Sequence, residues 1–90
     1  IAITIEGMKD DTEVRVYLNG TTTELAGIET AVAGSSNNRS FTFSLTAGII
    51  VDIVVIHITY ENIRLEGYTI PASPSSIPVQ QRFDRNYENL

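Results

Sequence analysis

Apolar and polar residues alternate at every second position in several segments, and this period of two most constrains what the chain can fold into. Residues 1–6, 14–19 and 41–46 show the alternation most clearly. Such alternation is typical of β-strands that bury one face and expose the other to water. No window shows the period of 3.6 residues that an amphipathic helix requires, and β-branched residues dominate. The sequence therefore predicts an all-β protein with minimal helix.

Turn-forming residues punctuate the chain between the alternating segments. Gly, Asn and Asp recur there, at 7–11, 19–20, 34–38, 47–48 and 61–62. These residues readily adopt the backbone angles of tight turns. The boundaries predict seven strands, at residues 1–6, 13–19, 23–29, 39–46, 49–60, 62–70 and 76–82. Strands of this length and spacing indicate a single antiparallel β-sandwich, of Ig-like or transthyretin-like type, with six to eight strands.

A chain of 90 residues is the size of one domain, but its C-terminal part differs in composition from the rest. Residues 1–70 are predicted to form the sandwich core. Residues 71–90 are predicted to form an extended tail, because three prolines and several serines disfavour a helix in its first half. The tail carries Phe83, Tyr87 and Leu90 as apolar anchors but has no core of its own. It therefore either folds back over its own sandwich or reaches a neighbouring subunit.

The predicted strand at 49–60 is apolar on both faces, whereas a two-layer sandwich buries only one. One face carries Ile49, Val51, Ile53 and Val55, and the other carries Ile50, Val54, Ile56, Ile58 and Tyr60. Two explanations stay open: the outer face lies under a loop or the tail, or it packs on another subunit. An error in the assumed register would also produce the pattern.

Charge and composition disfavour several classes of function. The net charge is -5 and the six basic residues are scattered, so we expect neither nucleic acid nor an anionic membrane surface as a partner. The longest apolar run is far shorter than the roughly 20 residues of a membrane-spanning helix, so we expect no membrane insertion. The lack of cysteine excludes disulfides and, with a single histidine, a zinc site. Position 1 is Ile rather than Met, which indicates either a cleaved leader and export or a piece of a longer chain.

The sequence lacks the residue combinations that catalysis requires. His57 is the only histidine, and the acid in its own predicted strand, Asp52, lies on the opposite face. Asp10 and Asp11 fall in a predicted turn, where acids are common. A loose calcium site is the alternative there, although the spacing lacks the calcium-loop pattern. We therefore expect no enzyme activity, no catalytic residue, no metal and no cofactor.

Between residues 12 and 71 the layout resembles the carboxypeptidase-regulatory-like, or transthyretin-like, β-sandwich modules. The segment 13–17 (EVRVY) is similar to their first strand. The segment 40–48 (SFTFSLTAG), followed by 51–55 (VDIVV), is similar to their middle signature. The resemblance implies a non-catalytic role as a spacer, an adhesive domain or an assembly unit.

The sequence departs from that family pattern at two positions. Ser40 stands where glycine is usual, and Ile50 stands where tyrosine is common. The tail at 76–87 resembles a different group, the endings of bacteriophage structural proteins. That resemblance implies a place in a virion.

The N-terminal segment indicates how such a subunit could assemble. Ile1, Ile3 and Ile5 alternate with polar or small residues, a pattern typical of a strand that adds to the edge of a neighbour's sheet. Alternatively, this segment is the first strand of its own sandwich. Donation from one subunit to the next builds rings or filaments.

We therefore expect a structural subunit that assembles with copies of itself in an extracellular fibre or a virion appendage. The predicted localisation is extracellular or in the virion. The candidate subunit contacts are Ile1, Ile3, Ile5, Val79, Phe83 and Tyr87.

A carbohydrate-binding or adhesive module is the alternative function, with glycans as partners. It requires an aromatic platform, which Tyr17 and Tyr60 would form if they lay side by side on one exposed sheet face. Asn19 and Asn38 each begin an N-glycosylation acceptor triplet in a predicted loop, so they are candidate modification sites.

Overall fold

The structure is a computed structural model that describes residues 1–30, 33–35 and 37–83, with 26–30 and 33–35 described by their backbone. Eight strands follow one another: β1 (Ala2–Met8), β2 (Glu13–Leu18), β3 (Glu24–Thr30), β4 (Ala33–Ser35), β5 (Asn38–Ser44), β6 (Ile50–Ile56), β7 (Ile63–Thr69) and β8 (Ser75–Pro78). No helix is present within the described ranges. The prediction of an all-β fold is confirmed. β4 is additional, because it lies in a segment that the sequence predicted as a turn.

The strands form two four-stranded sheets that share one core. The order is β4-β5-β1-β8 in the first sheet and β3-β2-β6-β7 in the second. The pairings are antiparallel except that of β1 with β8, which is parallel. The prediction of a purely antiparallel sandwich is therefore wrong at this pairing, because the chain leaves β7, crosses to the other sheet and enters β8 in the direction of β1. The assignment to an Ig-like or transthyretin-like type stays a prediction.

The period-two alternation decides which side chains enter the core. The following residues are 5% exposed or less: Ile3, Ile5, Met8, Val14, Val16, Phe43, Val51, Ile53, Val55 and Ile70. Met8 departs from the alternation because the pairing with β5 shifts register between Glu6 and Met8, where Gly7 has a φ of 84°. Burial of each large apolar side chain contributes about 1.5–3 kcal/mol, so this core is the main source of stability.

The described part of the tail packs on the protein's own sandwich. β8 extends the first sheet beyond β1, and Ile77 and Val79 pack against the core. Residues 84–90 lie outside the described part of the chain.

The outer face of β6 is only half-covered by the described residues. Val54 and Ile56 are half-buried, Ile50 is 44% exposed, and Asp52 between them is buried. β8 pairs in the opposite sheet. What covers this face, a loop, the rest of the tail or another subunit, stays a prediction.

The four strands at the sheet edges are poor acceptors for a further strand. β3 pairs with β2 through two register shifts, and β4 has three residues. β7 is bulged near Gly67 and exposes Arg64 and Glu66, while β8 has four residues and ends at Pro78. Short, bulged, charged or proline-containing strands are the means by which proteins block pairing between sheet edges. The sheet edges of the described strands therefore offer little backbone for pairing with a further strand.

Candidate functional site: the two ends of the sandwich

The strand directions gather the connections at two opposite ends. At one end lie the loops 9–12 and 57–62 and the segment 79–83. We call it the charged end, because it carries ionisable side chains: Lys9, Asp10, Asp11, His57, Glu61 and Arg82.

The opposite end carries the loops 19–23, 45–49 and 70–74. We call it the uncharged end, because no residue of these three loops has a charged side chain. It is composed of Thr, Ser, Ala, Gly, Pro, Asn, Leu and Ile. The two ends therefore differ in chemistry although they cap the same sandwich.

Main-chain hydrogen bonds tie the loops of the uncharged end together. The amide of Asn19 donates to the carbonyl of Ile50 over 3.0 Å. The amide of Gly48 donates to the carbonyl of Ile70 over 2.9 Å, and the amide of Ile70 donates to the carbonyl of Ile49 over 2.8 Å. Because these bonds join neighbouring loops, the end forms one continuous surface.

A buried carboxylate, Asp52, anchors the uncharged end from below. Its Oδ1 accepts from the Asn19 side-chain amide at 2.7 Å and from the Gly67 amide at 3.0 Å. Its Oδ2 accepts from the Gly20 amide at 2.9 Å, and the Arg64 guanidinium lies 3.5 Å away. The Asn19–Gly20 turn and the β7 bulge are thus fixed by one side chain that is 2% exposed.

These donors change the acidity of Asp52. The Gly20 amide contributes most, followed by the Asn19 side chain and the Gly67 amide, and together they hold the pKa of Asp52 below its ordinary value. Burial acts in the opposite direction, and the charge of Arg64 adds a smaller lowering. The carboxylate therefore stays ionised, yet its charge lies beneath the surface.

His57 and Asp10 join loops at the charged end. Thr59 donates its amide to Nδ1 of His57 at 3.0 Å, so the ring proton lies on Nε2, which donates to the Asp10 carbonyl at 2.8 Å. The Asp10 carboxylate accepts from the Asn37 amide at 2.9 Å and pairs with Arg39 at 3.0 Å. Both ring nitrogens of His57 thus bond to main-chain groups. Asp52, the acid considered beside His57 in the sequence, bonds to other residues.

Gln81 fastens the tail to the first loop at the charged end. Its Oε1 accepts from the Lys9 amide at 2.7 Å, and its Nε2 donates to Thr12 Oγ1 at 3.2 Å. The buried Thr12 hydroxyl in turn donates to the Lys9 carbonyl at 2.7 Å. Two groups of loop 9–12, the Lys9 amide and the Thr12 hydroxyl, thus bond directly to one side chain from the tail.

An aromatic cluster lies beside Gln81. The rings of Tyr60 and Phe83 meet edge to face with centroids 6.1 Å apart, and those of His57 and Tyr60 are 4.9 Å apart. The Lys9 Nζ lies 5.7 Å from the Tyr60 ring centroid. Phe83 is 47% exposed and Ile58 is 79% exposed, so this end presents apolar surface among its charges.

The predicted contact residues of the N-terminal segment lie inside the protein's own sandwich. β1 pairs with β5 on one side and β8 on the other, and Ile3 and Ile5 are fully buried. Ile1 packs partly against the core, and its amino group donates to the Leu45 carbonyl at 2.8 Å. The strand therefore pairs within its own chain. Of the two alternatives left open by the sequence, this is the one in which residues 1–6 form the first strand of their own sandwich.

The predicted contact residues of the tail lie at the charged end where they are described. Val79 packs partly against the core, and Phe83 is exposed beside Tyr60. Tyr87 lies outside the described residues. The structure thus brings Val79 and Phe83 to one end and places Ile1 at the other.

The aromatic platform required by the alternative function does not form from the two predicted tyrosines. Tyr17 lies in β2 opposite Asp52, towards the uncharged end, whereas Tyr60 lies at the charged end. Of the two candidate glycosylation sites, Asn19 is exposed but its Nδ2 bonds to Asp52, and Asn38 is exposed at the start of β5.

Two residues that organise the site were not predicted from the sequence. From the sequence, Asp52 was considered only as an acid on the face opposite His57, and Gln81 was one polar residue in a polar tail. An isolated acid in a two-sided apolar strand was the signal for Asp52, because a buried carboxylate requires several donors. Gln81 offered no comparable signal.

Two further features are absent from the described ranges of the chain. No cluster of three or more metal-ligating side chains occurs among the residues that the structure describes. Within the same part of the chain, no helix is long and apolar enough to cross a membrane. Comparison of the chain with protein-family models, curated proteins and solved structures finds no match.

Proposed function

We propose that this protein is a non-enzymatic structural subunit that assembles end to end with copies of itself. One observation carries the proposal: of the four exposed large apolar side chains among the described residues, two lie at each end of the sandwich. Leu18 is 41% and Ile50 is 44% exposed at the uncharged end, while Ile58 and Phe83 are exposed at the charged end. Exposed apolar groups that are not scattered mark surfaces that bind another molecule.

The composition of the uncharged end supports a contact there. Interface centres are depleted in charged residues, because each charge that loses water must be compensated. The loops 19–23, 45–49 and 70–74 offer no such charge, and Asp52 already has its donors inside the protein. These three loops therefore add no charged side chain that a contact would have to desolvate. The Ile1 amino group is the charge at this end, and it already donates to the Leu45 carbonyl at 2.8 Å.

The charged end supports a second contact of a different kind. Phe83 and Tyr60 are aromatic residues of the type enriched in interfaces, and Lys9, Glu61 and Arg82 supply charges for a polar rim. A subunit with a contact at each end propagates a linear assembly, provided that the contacts do not close on themselves. The repeating unit of a fibre or of a virion appendage fits such a subunit. A location outside the cell or in the virion is part of the proposal, and the resemblance of the tail to bacteriophage structural proteins supports the virion.

Light scattering on two variants tests the contact at the uncharged end. Leu18→Ser with Ile50→Ser removes the exposed apolar pair, and we expect this double variant to remain monomeric under conditions in which the unmodified chain assembles. Val54→Thr is the matched control, because it makes the outer face of β6 more polar midway between the ends. Assembly by the double variant, or loss of assembly in Val54→Thr alone, would contradict the proposed contact.

A carbohydrate-binding or adhesive module is the second candidate, and the exposed Phe83 ring beside Tyr60 favours it. A sugar could stack on this ring, with Lys9 as a nearby donor. The candidate predicts specific glycan-array hits that Phe83→Ala abolishes. A blank array for the unmodified chain would count against it.

A further inference from the structure

The residues 75–83, which we call the tail segment, contact the rest of the protein in the way a bound peptide strand does. Ser75 to Pro78 pair with β1 in parallel register, from Ile3↔Ser75 to Glu6↔Pro78. Ile77 and Val79 pack against the core at alternate positions. In strand addition, main-chain hydrogen bonds give affinity and pockets for alternate side chains give specificity. The tail segment combines both features.

The surface that receives the tail segment is shaped for it. Gly7 has a φ of 84°, and a Cβ added there would lie 2.9 Å from the Val79 carbonyl oxygen. The Val79 amide donates to the Glu6 carbonyl at 3.0 Å. Beyond this point Gln81 bonds to loop 9–12. Close approach at Gly7 and the Gln81 bonds fix the register of the segment.

A short connection, residues 71–74, joins β7 to the tail segment. Pro71 and Pro74 fix their own φ angles and restrict the residues before them, while the chain bends at Ala72 and Ser73; Ala72, Ser73 and Pro74 are exposed. Since the prolines already limit the conformations of the connection, straightening the bend loses less conformational entropy than it would in a chain without them. Exchange of an element between copies is favoured when its connection extends at low cost.

We propose that the tail segment exchanges between two copies of this chain, so that each docks its residues 75–83 on β1 of the other in the register seen here. This inference rests on the proposed function, since it requires self-association, and it names the exchanged strand as β8 rather than β1. Every contact of the tail segment is retained across the two copies. The difference in free energy therefore lies in the connection and in the new contact between the copies.

The length of the connection decides which ends meet. From Ile70 to Ser75 the chain spans at most about 18 Å when extended. β8 begins at the uncharged end, and a seven-residue strand such as β1 is about 23 Å long. A partner whose charged end faced the donor would place the start of its β8 site beyond reach. Exchange therefore brings two uncharged ends together, with the exposed Leu18 and Ile50 of both copies at the contact.

Cysteine variants of the full chain test this proposal, because the natural sequence contains no cysteine. Thr4 and Ser76 are register partners in β1 and β8. Thr4→Cys chains and Ser76→Cys chains are mixed at a concentration that gives assembly, and then oxidised. We expect a disulfide-linked species of twice the 9.9 kDa chain mass that joins the two variants, identified by peptide mass spectrometry.

The matched control uses the other neighbour of Thr4. Thr42 in β5 is its antiparallel register partner, and the two hydroxyls are 2.9 Å apart. Mixing Thr4→Cys with Thr42→Cys should give no more linked product than either variant alone, because β5 does not exchange. Deletion of Ala72 and Ser73 should increase the product of the first mixture, because the shortened connection strains docking within one chain.

The outcomes separate this inference from the proposed function. Assembly without the Thr4–Ser76 link between chains would overturn the exchange and leave end-to-end assembly standing. A link accompanied by closed dimers only would support the exchange and overturn the fibre. Equal linking in the Thr42 control would also overturn the exchange, because it would reflect random collision.

Discussion

The two ends of the sandwich are held in different ways, although the same strands lead into both. At the uncharged end, main-chain bonds join adjacent loops, and one buried carboxylate fixes a turn and a bulge. At the charged end, order depends on side chains that reach between distant segments, such as Gln81 to loop 9–12. The comparison shows that loops without charged side chains can be held in place by a carboxylate buried beneath them, here Asp52. The order of the opposite end depends instead on the docked tail.

Loss of Asp52 should have the largest effect and should act on the uncharged end. Asp52→Ala leaves the Gly20 and Gly67 amides and the Asn19 side chain without their acceptor, and we expect the Tm to fall by roughly 20 °C. Thermal unfolding measures the loss. Glu66→Ala, which removes only the exposed partner of Arg64, is the control and should change the Tm little. Similar Tm values for both variants would show that the carboxylate is not the anchor.

Gly7→Ala should undock the tail and act mainly on the charged end. Its Cβ would meet the Val79 carbonyl oxygen at 2.9 Å at a positive φ, so we expect a loss of about 2–4 kcal/mol in unfolding free energy, measured by urea titration.

The control for this variant is Gly48→Ala. Gly48 also has a positive φ, of 92°, but has open space around its Cβ position, so only the backbone strain of about 1–2 kcal/mol applies. Equal losses in the two variants would mean that the approach of Val79 to Gly7 adds nothing.

Gln81→Ala should loosen the charged end without unfolding the protein. Two hydrogen bonds to loop 9–12 are lost, and at about 1 kcal/mol each we expect a decrease of roughly 2 kcal/mol. Hydrogen exchange of the Lys9 amide should accelerate while that of the Gly67 amide does not. Gln80→Ala, at the exposed neighbouring position, should leave both amides unchanged. Faster exchange at Gly67 in Gln81→Ala would show that the ends are not independent.

Acid should weaken the uncharged end through Asp52. We expect this effect to be the smallest of those considered. The pKa of Asp52 is lower in the folded than in the unfolded chain, so its ionisation contributes stability that is fully present above the ordinary aspartate pKa. That contribution is lost as the pH falls through the folded pKa. Urea titrations between neutral and acidic pH should therefore show that the unfolding free energy of Asp52→Asn decreases less in acid than that of the unmodified chain. An equal decrease in both would mean that other carboxylates cause it.

The strands and the core could be predicted from the sequence because they follow from local periodicity. Ile3, Ile5, Val14 and Val16 are buried where the alternation places them. Met8 was beyond this reasoning, because the bulge at Gly7 shifts the period and is coupled to the approach of Val79. The parallel pairing of β8 with β1 was not predicted either, because a crossover between sheets leaves no periodic signature in the sequence.

The candidate site could be predicted only in part. Phe83 was singled out as an apolar anchor of the tail and Val79 as a candidate subunit contact, and both are found at the charged end. The difference between the ends was not predicted, because it depends on which loops the topology brings together. Asn19–Gly20 was recognised as a turn, but its bond to Asp52 joins residues 33 positions apart.

The central claim is self-association, and light scattering on the unmodified chain over a range of concentrations tests it most directly. The account predicts a mass that rises with concentration well beyond that of a dimer, with elongated particles in negative-stain images. A mass that stays at 9.9 kDa at every concentration would contradict it.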